Sequence, residues 1–82
     1  MAKKYQKIYK YTAVFEPDKE AGGFVVTIPV LPGCVTEGDN FEEALKNIKE
    51  AAELYLEVME KEKEEIPIEA EPVLVTPVEV RV

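Results

Sequence analysis

The stretch of sequence that decides the fold is LPGCVTEGDNFEEAL, residues 31–45. It holds two turn signals, a short apolar segment between them, and the start of an amphipathic helix. Asn40 is a predicted helix N-cap, because its side-chain oxygen can accept a hydrogen bond from an early helical N–H. Glu43 lies three residues later, where its carboxylate can reach back to the N–H of the cap. A strand, a turn and a helix start are therefore predicted within this one stretch.

Three strands are predicted before the helix. Alternating side chains over residues 8–15 predict the first, and the apolar run of residues 24–29 predicts the second. The turn-forming composition of residues 16–23 predicts that these two strands form a hairpin. Residues 34–37 are the short third strand. It is bounded by turn residues that we take as a structural motif, namely Pro32, Gly33 and Gly38.

The helix is predicted over about residues 41–63, because apolar residues recur there at helical spacing. Leu54 lies outside this apolar stripe and Val58 lies on its margin, so the apolar arc is wider than one sheet face needs. We expect this extra surface to contact another copy of the chain, as a homodimer or a tetramer.

A linker over residues 66–72 and a final strand over residues 73–82 complete the predicted order. Pro77 cannot donate to a sheet ladder, so this strand is predicted at an edge or a bulge. The order β-β-β-α-β predicts an α+β fold with one long helix packed on a mainly antiparallel sheet. We expect one domain over residues 1–82, with no separate DNA-binding domain.

Composition narrows the class of protein. At 82 residues and 46% hydrophobic content, the chain is predicted to be one folded domain. Its one cysteine excludes an intrachain disulfide and is typical of a reducing, cytoplasmic setting. No apolar run approaches the roughly 20 residues of a membrane helix, so no membrane partner is expected.

Charge is unevenly distributed. The formal net charge is −7, and residues 57–71 carry seven glutamates against two lysines. This balance opposes binding to phosphate groups, so direct nucleic-acid binding is not expected. The acidic segment has two interpretations, a solvated helix end or a surface for a cationic partner.

The chemistry available to the chain is limited. The sequence has no histidine and no serine, which excludes a serine triad, a Cys–His pair and a zinc site of the usual type within one chain. Cys34 is predicted to be a small buried apolar residue, with a reactive thiol as the alternative. No catalytic residue, metal ligand or cofactor is predicted.

The combination of these segments resembles the HicB family of antitoxins, including its short single-domain members. The resemblance rests on Leu-Pro-Gly-Cys at 31–34, Gly-Asp-Asn at 38–40 and Phe-Glu-Glu-Ala-Leu-Lys at 41–46, with the hairpin segments 11–18 and 22–29. It covers roughly residues 9–60. It implies a partial ribonuclease H fold and a protein that binds and neutralises a small RNA-cleaving toxin of the HicA type.

The implied ribonuclease H fold raises the alternative of a two-metal nuclease, which needs acids converging from strand centres. The first strand has Tyr9, Tyr11 and Ala13 at its middle, and the second strand has no acid. We therefore expect a protein that is not an enzyme and that acts by steric occlusion. The acidic helix end is the predicted contact for a basic toxin, through Glu57, Glu60 and Glu64, and an exposed sheet edge is predicted for backbone pairing.

A second hypothesis comes from another class of protein. The chain is then an orphan, self-assembling regulatory protein or small-ligand binder without a toxin partner. The wide apolar arc of the helix favours self-association under either hypothesis.

Overall fold

Three short strands and one long helix make up the part of the fold that the structure describes. The computed structural model describes residues 7–71 and 73–82. Strands β1 (Val14–Pro17), β2 (Phe24–Thr27) and β3 (Val35–Gly38) precede the helix α1 (Phe41–Lys61). The strands form one antiparallel sheet in the order β1-β2-β3, and α1 packs on one face of it. The predicted α+β class is confirmed, whereas the ribonuclease H-like label stays a prediction.

A small core lies between the sheet and the helix. Its buried side chains come from β2, from the turn after it and from the inner face of α1, and they are Val26, Ile28, Leu31, Cys34, Ala44 and Ile48. Aromatic rings close one side of this core, where the Phe15 and Phe41 ring centroids lie 4.8 Å apart. The Tyr55 hydroxyl donates to the carbonyl of Pro32 at 2.8 Å and ties α1 to the turn before β3.

The three strands predicted before the helix lie close to their expected places, but the first is shorter and shifted. It was expected over residues 8–15 and forms only from Val14, which faces Thr27 of β2. Continuing this register would set Thr12 opposite Pro29, which has no N–H to donate. The Thr12 N–H donates instead to the Glu69 carboxylate at 2.8 Å. The ladder therefore begins two residues later.

The final strand predicted over residues 73–82 is not formed in the single chain. These residues have no strand assignment, and Leu74 and Val80 are 90% and 77% exposed. The prediction rested on the alternation of side chains, but a strand also needs a hydrogen-bonded neighbour, and none of the described residues pairs with this segment. We call residues 73–82 the C-terminal arm.

The linker before the arm is fixed to the start of the sheet. The Tyr11 hydroxyl donates to the Pro67 carbonyl at 2.6 Å. The Glu69 carboxylate accepts hydrogen bonds from both the N–H and the hydroxyl of Thr12. The Val73 N–H lies 3.4 Å from the Thr12 hydroxyl oxygen. The C-terminal arm therefore leaves the domain at a defined point beside Thr12.

The helix begins directly on the sheet at Gly38. A Cβ added to Gly38 would lie 2.6 Å from the Ala44 Cα, and one added to Gly23 would lie 2.8 Å from the Asp39 Cα. Both distances are far inside van der Waals contact, so only glycine allows these backbones to approach. The first turn of α1, the end of β3 and the start of β2 are thus in direct backbone contact.

We expect Gly38→Ala to lower the free energy of unfolding by about 3 kcal/mol, because the new methyl group collides with backbone that cannot move aside. The measurement is urea unfolding followed by helix circular dichroism, at one fixed protein concentration. Gly33→Ala is the matched control. Gly33 has a φ of +84° and nothing within 4 Å of its would-be Cβ, so its cost is backbone strain of about 1 kcal/mol. Equal effects at both positions would contradict the contact at Gly38.

The hydrogen bonds from Thr12, its hydroxyl first and its N–H second, lower the pKa of Glu69 from its ordinary value of 4.5. Because the folded-state pKa is the lower one, the contribution to stability is complete above pH 4.5 and is lost as the pH falls through the folded-state pKa. We expect hydrogen-exchange protection of the Thr12 amide to fall over that acidic range. Glu69→Gln should abolish this pH dependence, while Glu71→Gln should preserve it. A pH-independent Thr12 amide in the unaltered chain would refute the contact.

Candidate partner-binding surface

The N-terminal end of α1 is held by two reciprocal hydrogen bonds. The Asn40 side-chain oxygen accepts from the Glu43 N–H at 2.8 Å, so Asn40 is the N-cap. The Glu43 carboxylate accepts from the Asp39 N–H at 2.7 Å. The prediction gave this second bond to the N–H of Asn40, and the structure corrects it by one residue. Glu42 and Glu43 also place negative charge at the positive end of the helix dipole.

The motif before β3 is a compact turn rather than a reactive site. The Cys34 N–H donates to the Leu31 carbonyl at 2.9 Å, and Gly33 supplies the left-handed conformation between them. Cys34 is 5% exposed. Burial raises the pKa of its thiol, which keeps the sulfur protonated and poorly nucleophilic at neutral pH. Pro32, Gly33 and Cys34 therefore shape the turn that carries Leu31 into the core.

The acidic side chains proposed as partner contacts are all exposed. Glu57 and Glu60 lie on α1, three residues apart and hence on one face, and Glu64 follows the end of the helix. Glu53 is also exposed and precedes Glu57 by one helical turn. The prediction from sequence did not include Glu53. The signal for it is the spacing i, i+4, i+7 of residues 53, 57 and 60, which places all three on one helix face. The acidic surface is the set Glu53, Glu57, Glu60 and Glu64.

The end of the helix fixes where Glu64 lies. The Glu64 N–H donates back to the Met59 carbonyl at 2.9 Å, and the Lys63 N–H donates to the Glu60 carbonyl at 3.1 Å. Lys63 has a φ of 56°, the left-handed conformation of this type of helix ending. The helix was predicted to reach residue 63, and this turn ends it at Lys61. Glu64 consequently lies against the last turn of α1 instead of continuing along its axis.

An exposed apolar strip borders the acidic surface. Leu54 is 63% exposed and Val58 is 54% exposed, and their spacing of four residues places them on one face of α1. In contrast, Ala51, Ala52, Tyr55 and Leu56 pack partly against the core. Leu54 and Val58 thus stay exposed in the described part of the chain.

The two edges of the sheet differ. The Asn47 side-chain amide donates to the Glu37 carbonyl of β3 at 2.8 Å, and α1 packs against that strand. The opposite edge is β1, which has no second neighbour among the described residues. Within the described ranges, β1 is therefore the more open edge for backbone pairing.

The remaining chemistry of the surface is limited. The Tyr9 and Tyr11 rings stack at 6.1 Å, and the Tyr11 hydroxyl is bonded to the linker. Across residues 7–71 and 73–82, no three acidic or cysteine side chains are grouped so that they could hold a metal ion. In the same residues, α1 is not apolar enough to cross a membrane.

Comparison with known proteins assigns the family. A family model described as the HicB-like antitoxin of bacterial toxin–antitoxin systems matches residues 11–77. The chain is 48% identical over 58 residues to the UPF0150 protein Ta0767 of Thermoplasma acidophilum, covering 71% of this chain and 83% of that protein. It is 44% identical over 64 residues to the UPF0150 protein ssr1765 of Synechocystis, covering 78% and 80% of the two chains. A UPF0150 protein of Helicobacter pylori is 54% identical over 39 residues, covering 48% of this chain and 54% of that protein. The chain therefore belongs to the family of HicB-like antitoxins of bacterial toxin–antitoxin systems.

Proposed function

We propose that this chain neutralises a small RNA-cleaving toxin of the HicA type by covering the surface with which the toxin grips RNA. The observation that carries the proposal is the family match over residues 11–77. A protein that cleaves RNA needs a basic surface for the phosphate backbone. The acidic surface of this chain is complementary to such a surface in charge.

The geometry of the acidic surface supports steric inhibition. Its carboxylates are exposed. Glu53, Glu57 and Glu60 share one face of α1, and Glu64 follows directly after the helix end. Complementary charge accelerates encounter with a basic partner and orients it before contact. Once bound, the chain needs to do no chemistry, since occupancy alone excludes RNA. The proposal therefore describes a cytoplasmic binding protein and not an enzyme.

A second contact supports the same proposal. The open edge of β1 offers backbone groups for pairing with a strand of the partner, a recurring mode of peptide recognition. The two contacts would act in different steps, since exposed charges raise the association rate whereas buried backbone pairing slows dissociation.

The first test isolates the partner and its activity. Tagged full-length chain is used to purify its partner from the source organism, and the co-purified protein is separated and assayed for RNA cleavage. We expect a small basic protein whose cleavage stops when one equivalent of this chain is added back. A bound protein without RNA-cleaving activity, or one that still cleaves in the complex, would contradict the proposal.

The second test concerns the acidic surface. We expect the triple variant Glu57→Lys, Glu60→Lys, Glu64→Lys to associate with that toxin at least about tenfold more slowly at low salt, and to lose most of the salt dependence. The matched control is Glu20→Lys, Glu37→Lys, Glu42→Lys, which changes the net charge equally at exposed positions away from the helix end, the β1 edge and the C-terminal arm. Stopped-flow association measures both. Equal slowing by the control would mean that overall charge acts, and not this surface.

A further inference from the structure

We propose that the C-terminal arm is a strand exchanged between two copies of this chain, each arm adding to the open β1 edge of the other copy. The proposal does not involve the acidic surface. It assigns the β1 edge to the second copy, so a toxin strand could pair at that edge only by displacing the exchanged arm.

The arm has the composition of a half-buried strand. Its even-numbered residues place four large apolar side chains on one face, Leu74, Val78, Val80 and Val82, all of them exposed in the single chain. The charged residues Glu79 and Arg81 fall on the opposite face. One uncharged apolar face and one partly charged face are typical of a strand with one side on a core and the other in water.

The arm extends from the domain instead of folding over it. The Cα radius of gyration is 15.3 Å, against about 12 Å for a compact chain of this length. Its root is fixed beside Thr12, because Glu69 and Val73 both bond to that residue. An apolar segment that leaves the domain at a fixed position, rather than through a free linker, is preorganised for a specific partner.

Charge argues for a second copy as that partner. Glu79 and Arg81 leave the arm formally neutral, unlike the acidic segment before it. A basic toxin gains no electrostatic attraction from the arm. A second copy, in contrast, supplies one arm and one open β1 edge. Within the described residues of a single chain, neither of these two features has a pairing partner. Reciprocal exchange about a two-fold axis covers both arms and both edges and leaves none free for further growth.

The size of the domain agrees with this arrangement. Among the residues that the structure describes, the buried core consists of six side chains, two of them the small Cys34 and Ala44. A domain of this length has little apolar surface to bury alone, and oligomerisation is a common remedy. The arm carries six exposed large apolar side chains, which would add apolar surface to the core if they were buried in a dimer.

Light scattering on the full-length chain tests the proposal. We expect a mass of two chains of 9.2 kDa each at micromolar concentration. Val80→Lys should raise the dimer dissociation constant at least about tenfold, since it places an unpaired charge on the apolar face. Val75→Lys is the matched control on the opposite face and should leave the mass unchanged. Helix circular dichroism should be unaltered in both, because neither side chain touches the core.

Three results of the light-scattering experiment would overturn the proposal. A monomeric unaltered chain would remove its basis, and equal effects of Val75→Lys and Val80→Lys would remove the distinction between the faces. Dissociation by Leu54→Lys but not by Val80→Lys would place the self-contact on the strip of Leu54 and Val58.

Isotope-filtered nuclear Overhauser effects distinguish exchange from folding back. In a dimer made from labelled and unlabelled chains, we expect contacts between the arm and residues 14–17 to cross from one chain to the other. Contacts confined to a single chain would show that the arm pairs with its own β1, and would overturn the exchange.

Discussion

The structure depends on the backbone contact between Gly38, at the end of β3, and Ala44, in the first turn of α1. No side chain separates the two elements there, and a Cβ on Gly38 would lie 2.6 Å from the Ala44 Cα. This approach sets the height of the helix above the sheet, so Ile48, one turn further along, is buried against Val26 and Leu31 within the same core. A small core tolerates little error in this spacing, because each buried side chain is a large share of the total apolar burial.

The sequence predicted this part of the fold well because its determinants are local. An N-cap, a carboxylate three residues later and a glycine are short-range signals, and each acts within one turn of its own position. The capping carboxylate was assigned to the wrong donor, since the N–H groups of Asp39 and Asn40 are adjacent and the sequence cannot distinguish them. The helix end was placed two residues late because Lys63 adopts a left-handed conformation that lysine does not signal.

The less accurate predictions concern long-range pairing. β1 begins at Val14 because of two residues far away in the chain, Pro29, which cannot donate, and Glu69, which takes the Thr12 N–H. The strand prediction for the arm rested on the alternation of its side chains. Alternation predicts which side chains share a face, but it does not identify the strand that would pair with the arm. The candidate binding residues were predicted as exposed acids, and all of them are exposed. Glu53, Glu57 and Glu60 lie on one face of α1 because residues three and four apart are neighbours on a helix.

The order of the last three segments links the two surfaces of this protein. The acidic surface ends at Glu64, the linker through Glu69 is bonded to Thr12, and the arm begins at Val73. If the arms exchange, the linker still holds the start of each arm on its own domain, which also carries the acidic surface. Dimerisation would then fix the relative position of two acidic surfaces. The covalent chain from Glu64 to the arm would transmit this position, and the two surfaces need not touch each other. Two linked surfaces also raise the effective concentration of each for a partner with two sites. A domain with so small a core can in this way obtain both stability and a defined presentation of charge from one exchanged segment.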